Sequence, residues 1–355
     1  MTDDTAPASV EVDPGSTEAG STEASPSSIE PMTALQAVVA AEGSATGRAL
    51  VIHSGDLWAE AGRAILRFHL GRVFSHVPGV IAGEDAEEVH AMRVAARRMR
   101  AAWRVFGDGF EREPSQRYRQ ELRDLGSRLG AVRDLDVLIG ILVAYAGRQG
   151  DRHRAGLEPL FVAWRAERAA RRVDLLETLA SDEFGSFIID YQELVATPGL
   201  AMREVSPHTP GLVRNRMPAT IWHAYQDVWA FDGDLRAADL ATLHRLRIAA
   251  KWLRYTLEFV RELLEPDATA LIRPVVALQD HLGDQHDQHV AAELAREFVA
   301  STSSSLTAAE LKAIGLFTSH LDHDVERLRR TLRSAWPPIV GSRYRRGLGR
   351  AIARL

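Results

Sequence analysis

The chain has 355 residues, 46% of them apolar and 26% charged, with 26 Gly and 15 Pro. That length suits about two domains or one large repeated one, and the composition excludes collagen-like and low-complexity classes for most of the chain. Cysteine is absent, which excludes disulfide frameworks, Cys-zinc sites, iron–sulfur clusters and cysteine nucleophiles and makes a reducing cytoplasm the expected compartment.

The formal net charge of −5 hides an asymmetry that begins at the first element. Residues 1–47 carry eight acids and no Lys or Arg, leaving 43 bases against 40 acids in the rest. The opening MTDDTAPASVEVDPGSTEAGSTEASPSSIE is acidic and rich in Ser, Pro and Gly, so it is expected to be a disordered leader and lacks the positive start of a secretory signal. Residues 31–54 show no clear element. From about Asp56 onward helical periodicity alternates with short breaks, and no run alternates with period two. Breaks are predicted near Pro78-Gly79, 107–114, 147–151, 181–186, 207–211, 232–234, Pro266 and 301–305. They separate eight principal helices, each opened by Asp, Ser or Thr. The apolar run Val137–Gly147 falls well short of the roughly 20 residues a membrane helix needs. A soluble protein with no membrane partner is expected. From Arg327 to the end there are nine Arg and no acid, which makes a polyanion a plausible partner.

An internal repeat organises these helices. VHAMRVAARRMRAAWRVF (89–106) returns as LHRLRIAAKWLRYTLEFV (243–260) at an offset of 154, with His, Arg, Arg/Lys and Arg in step. LGAVRDLDV (129–137) aligns with LGDQHDQHV (282–290) at an offset of 153, and His69 matches His223. Order and spacing are kept, so the fold expected is all-α: two four-helix bundles packed about a pseudo-twofold axis. The predicted divisions are an acidic leader over 1–47, a first four-helix half over 50–200, a second over 205–336, and a basic C-terminal tail over 337–355.

At 100° per residue, His90, Arg93, Arg97, Arg100 and Arg104 fall on one side of their helix, and Met92, Ala95, Ala96, Met99, Trp103 and Phe106 on the other. The repeat places His244, Arg247, Lys251 and Arg254 on the equivalent arc, with Glu258 in the fifth position. Solvated faces usually interleave signs, because like charges one turn apart cost roughly 0.2–0.5 kcal/mol per pair. Here no acid lies within 89–107 or 240–257. Acids on neighbouring helices or a bound polyanion must neutralise the face, and the anion is the preferred reading. The in-phase His90 and His244 are then candidate phosphate donors.

These segments resemble the two signature helices of the CHAD family, the conserved histidine α-helical domain, and the 129–137 and 282–290 segments resemble its third-helix motifs. The likeness spans about residues 50–335. It implies two four-helix bundles around a basic central cavity, binding of inorganic polyphosphate and association with polyphosphate granules. It assigns His90, Arg93, Arg97, Arg100, His244, Arg247, Lys251 and Arg254 as phosphate contacts; Arg104 matches less well because its counterpart is Glu258. No ExExK pattern of a CYTH domain precedes the bundles, so the chain reads as a stand-alone, non-catalytic binder without a cofactor.

Other signals are weaker. His281, His286 and His289 with Asp284 and Asp287, and His320, Asp322, His323 and Asp324, offer metal donors but no HExxH pattern, so no metal is assigned. Asp134 and Asp287 are expected to orient an Arg or cap a helix. Arg63, Arg67, Arg119, Arg123, Arg133 and Arg168 are secondary candidates for extending the cavity, each more often a surface ion-pair residue. Two alternatives stay open. A metal-dependent polyphosphate or phosphoester hydrolase needs carboxylates converging on the basic face. A nucleic-acid binder is disfavoured by the few stacking aromatics there, Trp252 and Tyr255 being nearest.

Overall fold

The computed structural model describes residues 50–355 except 207, 209, 234, 236 and 237. The acidic leader, and with it the assignment for 1–47, lies outside the described residues. Among these residues the protein is all α-helical, its only β-type pairings being the isolated bridges Leu57–Leu212 and Phe110–Met202. No described helix is long and apolar enough to cross a membrane.

In the first half, α1 spans Trp58–Ala82, α2 Ala86–Phe106 and α3 Arg112–Ala146. After them come the single-turn α4 (Asp151–Ala155), α5 (Glu158–Leu179) and α6 (Asp182–Ala196). The second half contains α7 (Val213–Trp229), α8 (Leu240–Phe259), α9 (Ala268–Thr302) and α10 (Ala308–Ala335), then the short α11 (Pro337–Val340) and α12 (Ser342–Ile352). Several starts follow from the sequence. Asp85, Ser181 and Asp239 each accept a backbone N–H in the first turn, and Thr307 with Glu310 forms a capping box. The starts of α1, α3 and α7 have no side-chain cap. There the chain enters from extended backbone, and Trp58 N–H donates to Gly211 O at 2.8 Å.

The predicted break at Pro78-Gly79 does not occur. α1 continues through Pro78 and ends at Gly83, whose φ of 72° closes the helix in the left-handed region. Pro removes one intrahelical bond, but the flanking Val77 and Val80 are fully packed, and Arg172 donates to Ile81 O at 2.7 Å beyond it. The basic segment 337–355 is likewise more than a tail. Tyr344, Leu348 and Ala351 of α12 are buried, and the Tyr344 hydroxyl donates to Leu271 O at 2.9 Å.

Helices carrying matched segments pack on one another: α1 on α7, α2 on α8 and α3 on α9. The apolar side chains do not divide by sequence half. One core takes α1, α2, α6, α7, α8, α11, α12, the first parts of α3 and α9, and the last turns of α5 and α10. A second takes the far ends of α3 and α9 with α5 and α10, including Tyr145, Trp164 and Phe317. The reason is length: 35-residue helices run about 50 Å, too long for one bundle layer to cover.

Candidate functional site

The two cationic arcs meet where α2 crosses α8. Met92, Ala95, Ala96, Met99, Trp103 and Phe106 are buried, as are Leu243, Leu246, Ala250, Leu253 and Leu257. Burying each large apolar chain stabilises by about 1.5–3 kcal/mol, and the opposite faces are thereby turned toward a common cleft. Its narrow part, the neck, has a volume of about 190 Å³ and is lined by Arg93, Arg97, Arg100, Gly126, Arg247, Ile248, Lys251, Trp252 and Gln279. This lining holds five cations and no carboxylate. Gly126 on α3 makes room for them, since a Cβ there would sit 3.3 Å from the Arg100 guanidinium.

Through the shared Arg100 and Trp252 the neck opens into a vestibule of about 720 Å³. Arg104, Arg112, Arg119, Arg123 and Arg203 line it together with Trp103 and the single acid Asp108. Trp252 marks the threshold, with the Arg104 guanidinium 4.5 Å and the Lys251 ammonium 4.7 Å from its ring centroid. At the other end Arg247 leads into a recess of about 210 Å³ lined by His244, His286 and His289. The His244 and His286 rings lie 5.6 Å apart.

Burial, and after it the crowding of like charges, moves these groups from their ordinary values. Burial, then Arg97, Arg247, Arg100 and Arg104, pull Lys251 down to about 8. Arg97 is depressed first by burial and then by Arg93, Arg254 and Arg98, with Tyr255 opposing, and its buried Nε has no partner. His90 is lowered by burial, then by Arg133, Arg97 and Arg93 against the pull of Glu87. Burial, Arg247, His244 and His289 take His286 down to about 4. A cation that is desolvated beside other cations favours any anion that replaces its water.

Some of the expected contacts are already committed. Arg93 pairs with Asp134 at 3.0 Å, so part of the arc is neutralised by a neighbouring helix, and Asp134 orients an Arg as expected. Asp287, the repeat counterpart, lies close enough to feel Asp134, Arg247 and Arg93, and its carboxyl is pushed up, chiefly by burial. Arg254 does not line the neck: Glu258 binds it at 2.8 Å and binds Arg98 at 2.7 Å. His90 stands at the α2 start, 4.0 Å from Glu87, outside the compartments described.

The secondary candidates divide. Arg119 and Arg123 reach the vestibule, and Arg133 acts on His90. Arg63 does not extend the cavity. It is 3% exposed, donates to the Leu194 and Leu200 carbonyls and pairs with Glu60, which makes it an internal strut. Arg168 is tied to Asp136 and Arg67 is exposed on α1; neither lines a compartment. His69 is buried and its imidazole is lowered to about 3 by burial, then Arg98 and Arg72, whereas the matched His223 is exposed. Among the described residues no group of three or more His, Asp or Glu is placed to hold a metal ion. His281 donates to Leu328 O at 2.7 Å, and Asp322 binds Arg296 at 2.5 Å.

Sequence reasoning missed Arg112, Arg203 and Gln279. Arg203 lies in the loop after α6, held by Arg203 N–H to Gly109 O at 2.9 Å and Glu111 N–H to Ala201 O at 2.8 Å. No helical period signals a loop residue.

Residues 64–296 match the CHAD domain family. The crystal structure of the CHAD domain from the plant Ricinus communis is similar to this chain, with 25% identity and a TM-score of 0.68, covering 83% of this chain and 95% of that one. PptA from Streptomyces chartreusis shares the fold at 18% identity and a TM-score of 0.56, covering 79% of this chain and 99% of that one. No curated protein matches the chain.

Proposed function

The chain belongs to the CHAD domain family, and from that premise we propose that it binds inorganic polyphosphate without turning it over and associates with polyphosphate granules. One observation carries the reading: the neck between α2 and α8 is lined by Arg93, Arg97, Arg100, Arg247 and Lys251 with no carboxylate among them. A narrow cleft suits an unbranched anion. Each guanidinium offers a planar fork matched to phosphoryl oxygens, and Lys251 contributes a point charge whose cost of burial the anion offsets. The packing of α2 on α8 lets one polymer meet both signature helices, with His244, in the recess beyond Arg247, and His90, at the α2 start, as the further donors this reading assigns. General-base hydrolysis needs a carboxylate or imidazole aimed at the phosphoryl group, and the neck lining supplies neither, which favours a binder over an enzyme.

Isothermal titration with long-chain polyphosphate, repeated with single-stranded DNA as competitor and with a phosphate-release assay in the presence and absence of divalent metal, tests this. Saturable binding that falls steeply with salt, as counterion release demands, is expected, with weak competition by DNA and no released phosphate. Phosphate release would replace the reading with a hydrolase, and equal competition by DNA would replace it with a general polyanion or nucleic-acid binder.

A further inference from the structure

The vestibule differs from the neck in kind. Six arginines border it, from α2 (Arg100, Arg104), α3 (Arg112, Arg119, Arg123) and the loop after α6 (Arg203), and all six are exposed. None forms an ion pair with a carboxylate among the described residues. The one acid on the wall, Asp108, is already occupied by Trp58 Nε1 at 2.9 Å and by Arg216. The neck cations Arg93, Arg97, Arg247 and Lys251 are half-buried, and the space around them is about a quarter of the vestibule's. Exposed charges at a rim are screened by salt and contribute little to holding a ligand, but their summed field raises encounter rates, whereas partly desolvated charges govern release.

We infer that the vestibule is a capture compartment: it collects a polyphosphoryl segment from solution and sets the association rate, while the neck beyond Trp252 sets the dissociation rate. This rests on the polyphosphate reading above and adds a division of labour within the site. Trp252 is the physical boundary, since its ring carries one cation from each compartment, Arg104 and Lys251. A chain end drawn into the vestibule meets the cation field of Arg104 before that of Lys251, so charge leads it inward.

The test is kinetic, on long-chain polyphosphate immobilised for biolayer interferometry at two ionic strengths. Arg112→Gln/Arg119→Gln/Arg203→Gln is expected to lower the association rate about tenfold at low salt, with the gap narrowing at high salt and dissociation changing less than about threefold. Lys251→Gln is expected to do the reverse, raising the dissociation rate. Because Arg119 also stacks on Trp103 at 5.5 Å, Arg112→Gln/Arg203→Gln serves as the second variant, with about a threefold slower association. A wild-type association rate in both vestibule variants, or a change confined to dissociation, overturns the capture compartment while leaving polyphosphate binding intact. Failure of the wild-type protein to bind the polymer overturns the functional reading itself.

Discussion

α2 and α8 carry the same pattern of cations, and tertiary packing gives the two patterns different fates. On α2 the fifth arc position is Arg104, which stays exposed and reaches Trp252 and the vestibule. On α8 it is Glu258, which gathers Arg254 from its own helix and Arg98 from α2 into a half-buried cluster. The α8 arc therefore ends at Lys251, and the vestibule's arginines come only from α2, α3 and the loop after α6. The same asymmetry recurs on the third helices. A Cβ at Gly130 would sit 3.5 Å from the Arg93 guanidinium, whereas the aligned Gly283 has nothing within 4 Å. Repetition lays out the cations; single substitutions off the repeat decide which of them face the cleft.

Removing the α8 cations that do face the cleft should have the largest consequence. Arg247→Ala with Lys251→Ala is expected to weaken long-chain polyphosphate binding by about 100-fold or more, because charge-assisted hydrogen bonds contribute about 1.5–3 kcal/mol each. Arg254→Ala, which removes only a residue held by Glu258, should stay within about threefold. Titration calorimetry of the two side by side, with circular dichroism as the fold control, checks the distinction, and equal losses would erase it.

A smaller effect concerns what the crowded arc costs the anion-free protein. With its folded value near 8 against the ordinary 10.5, Lys251 loses its proton earlier in the folded state than in the unfolded one. Between those values the unfolded chain binds more protons, so stability rises with pH across about 8 to 10.5. Lys251→Met should flatten that rise and stabilise the protein at pH 7 by about 1–3 kcal/mol, the full shift being discounted for the partly solvated side chain. Denaturant unfolding of parent and variant at four pH values measures the difference. A parallel pair of curves would place the cost elsewhere.

The smallest expected change separates His90 from the arginines around it. Its imidazole lies below the ordinary 6.5 because of burial and then Arg133, with Arg97 and Arg93 adding and Glu87 opposing. A phosphoryl group nearby favours the protonated ring, so binding takes up a proton and affinity rises as pH falls from about 7 to about 5. His90→Gln should reduce that slope, with an affinity loss of about threefold at the acidic end. Long chains at fixed ionic strength isolate the protein's share, since only terminal phosphates titrate there. A variant with the full wild-type slope would make His90 a structural residue.

Much of this was legible beforehand because helices impose a local period. The all-α class and the apolar and cationic faces of α2 and α8 follow from residues three and four apart on one helix, and the repeat that aligns Asp134 with Asp287 pointed to Asp134 as an orienting acid. Pro78 misled, since a single lost hydrogen bond is outweighed when its neighbours are buried. Arg63 misled for a related reason: its charge reads as surface, yet a carbonyl in the last turn of α6, a loop carbonyl and Glu60 satisfy it inside.

What the sequence by itself determined is which side chains share a helical face, and hence that two matched rows of cations exist. Only the tertiary structure decided that these rows converge on one cleft, that Glu258 withdraws Arg254 from it, that Arg112 and Arg203 join it from outside the repeat, and that the long α3 and α9 build a second core across both halves. The physical reason is range. Periodicity encodes contacts within one or two turns, whereas electrostatic neutralisation and apolar burial are settled by whichever groups the packed chain brings within a few ångströms, irrespective of their separation in sequence.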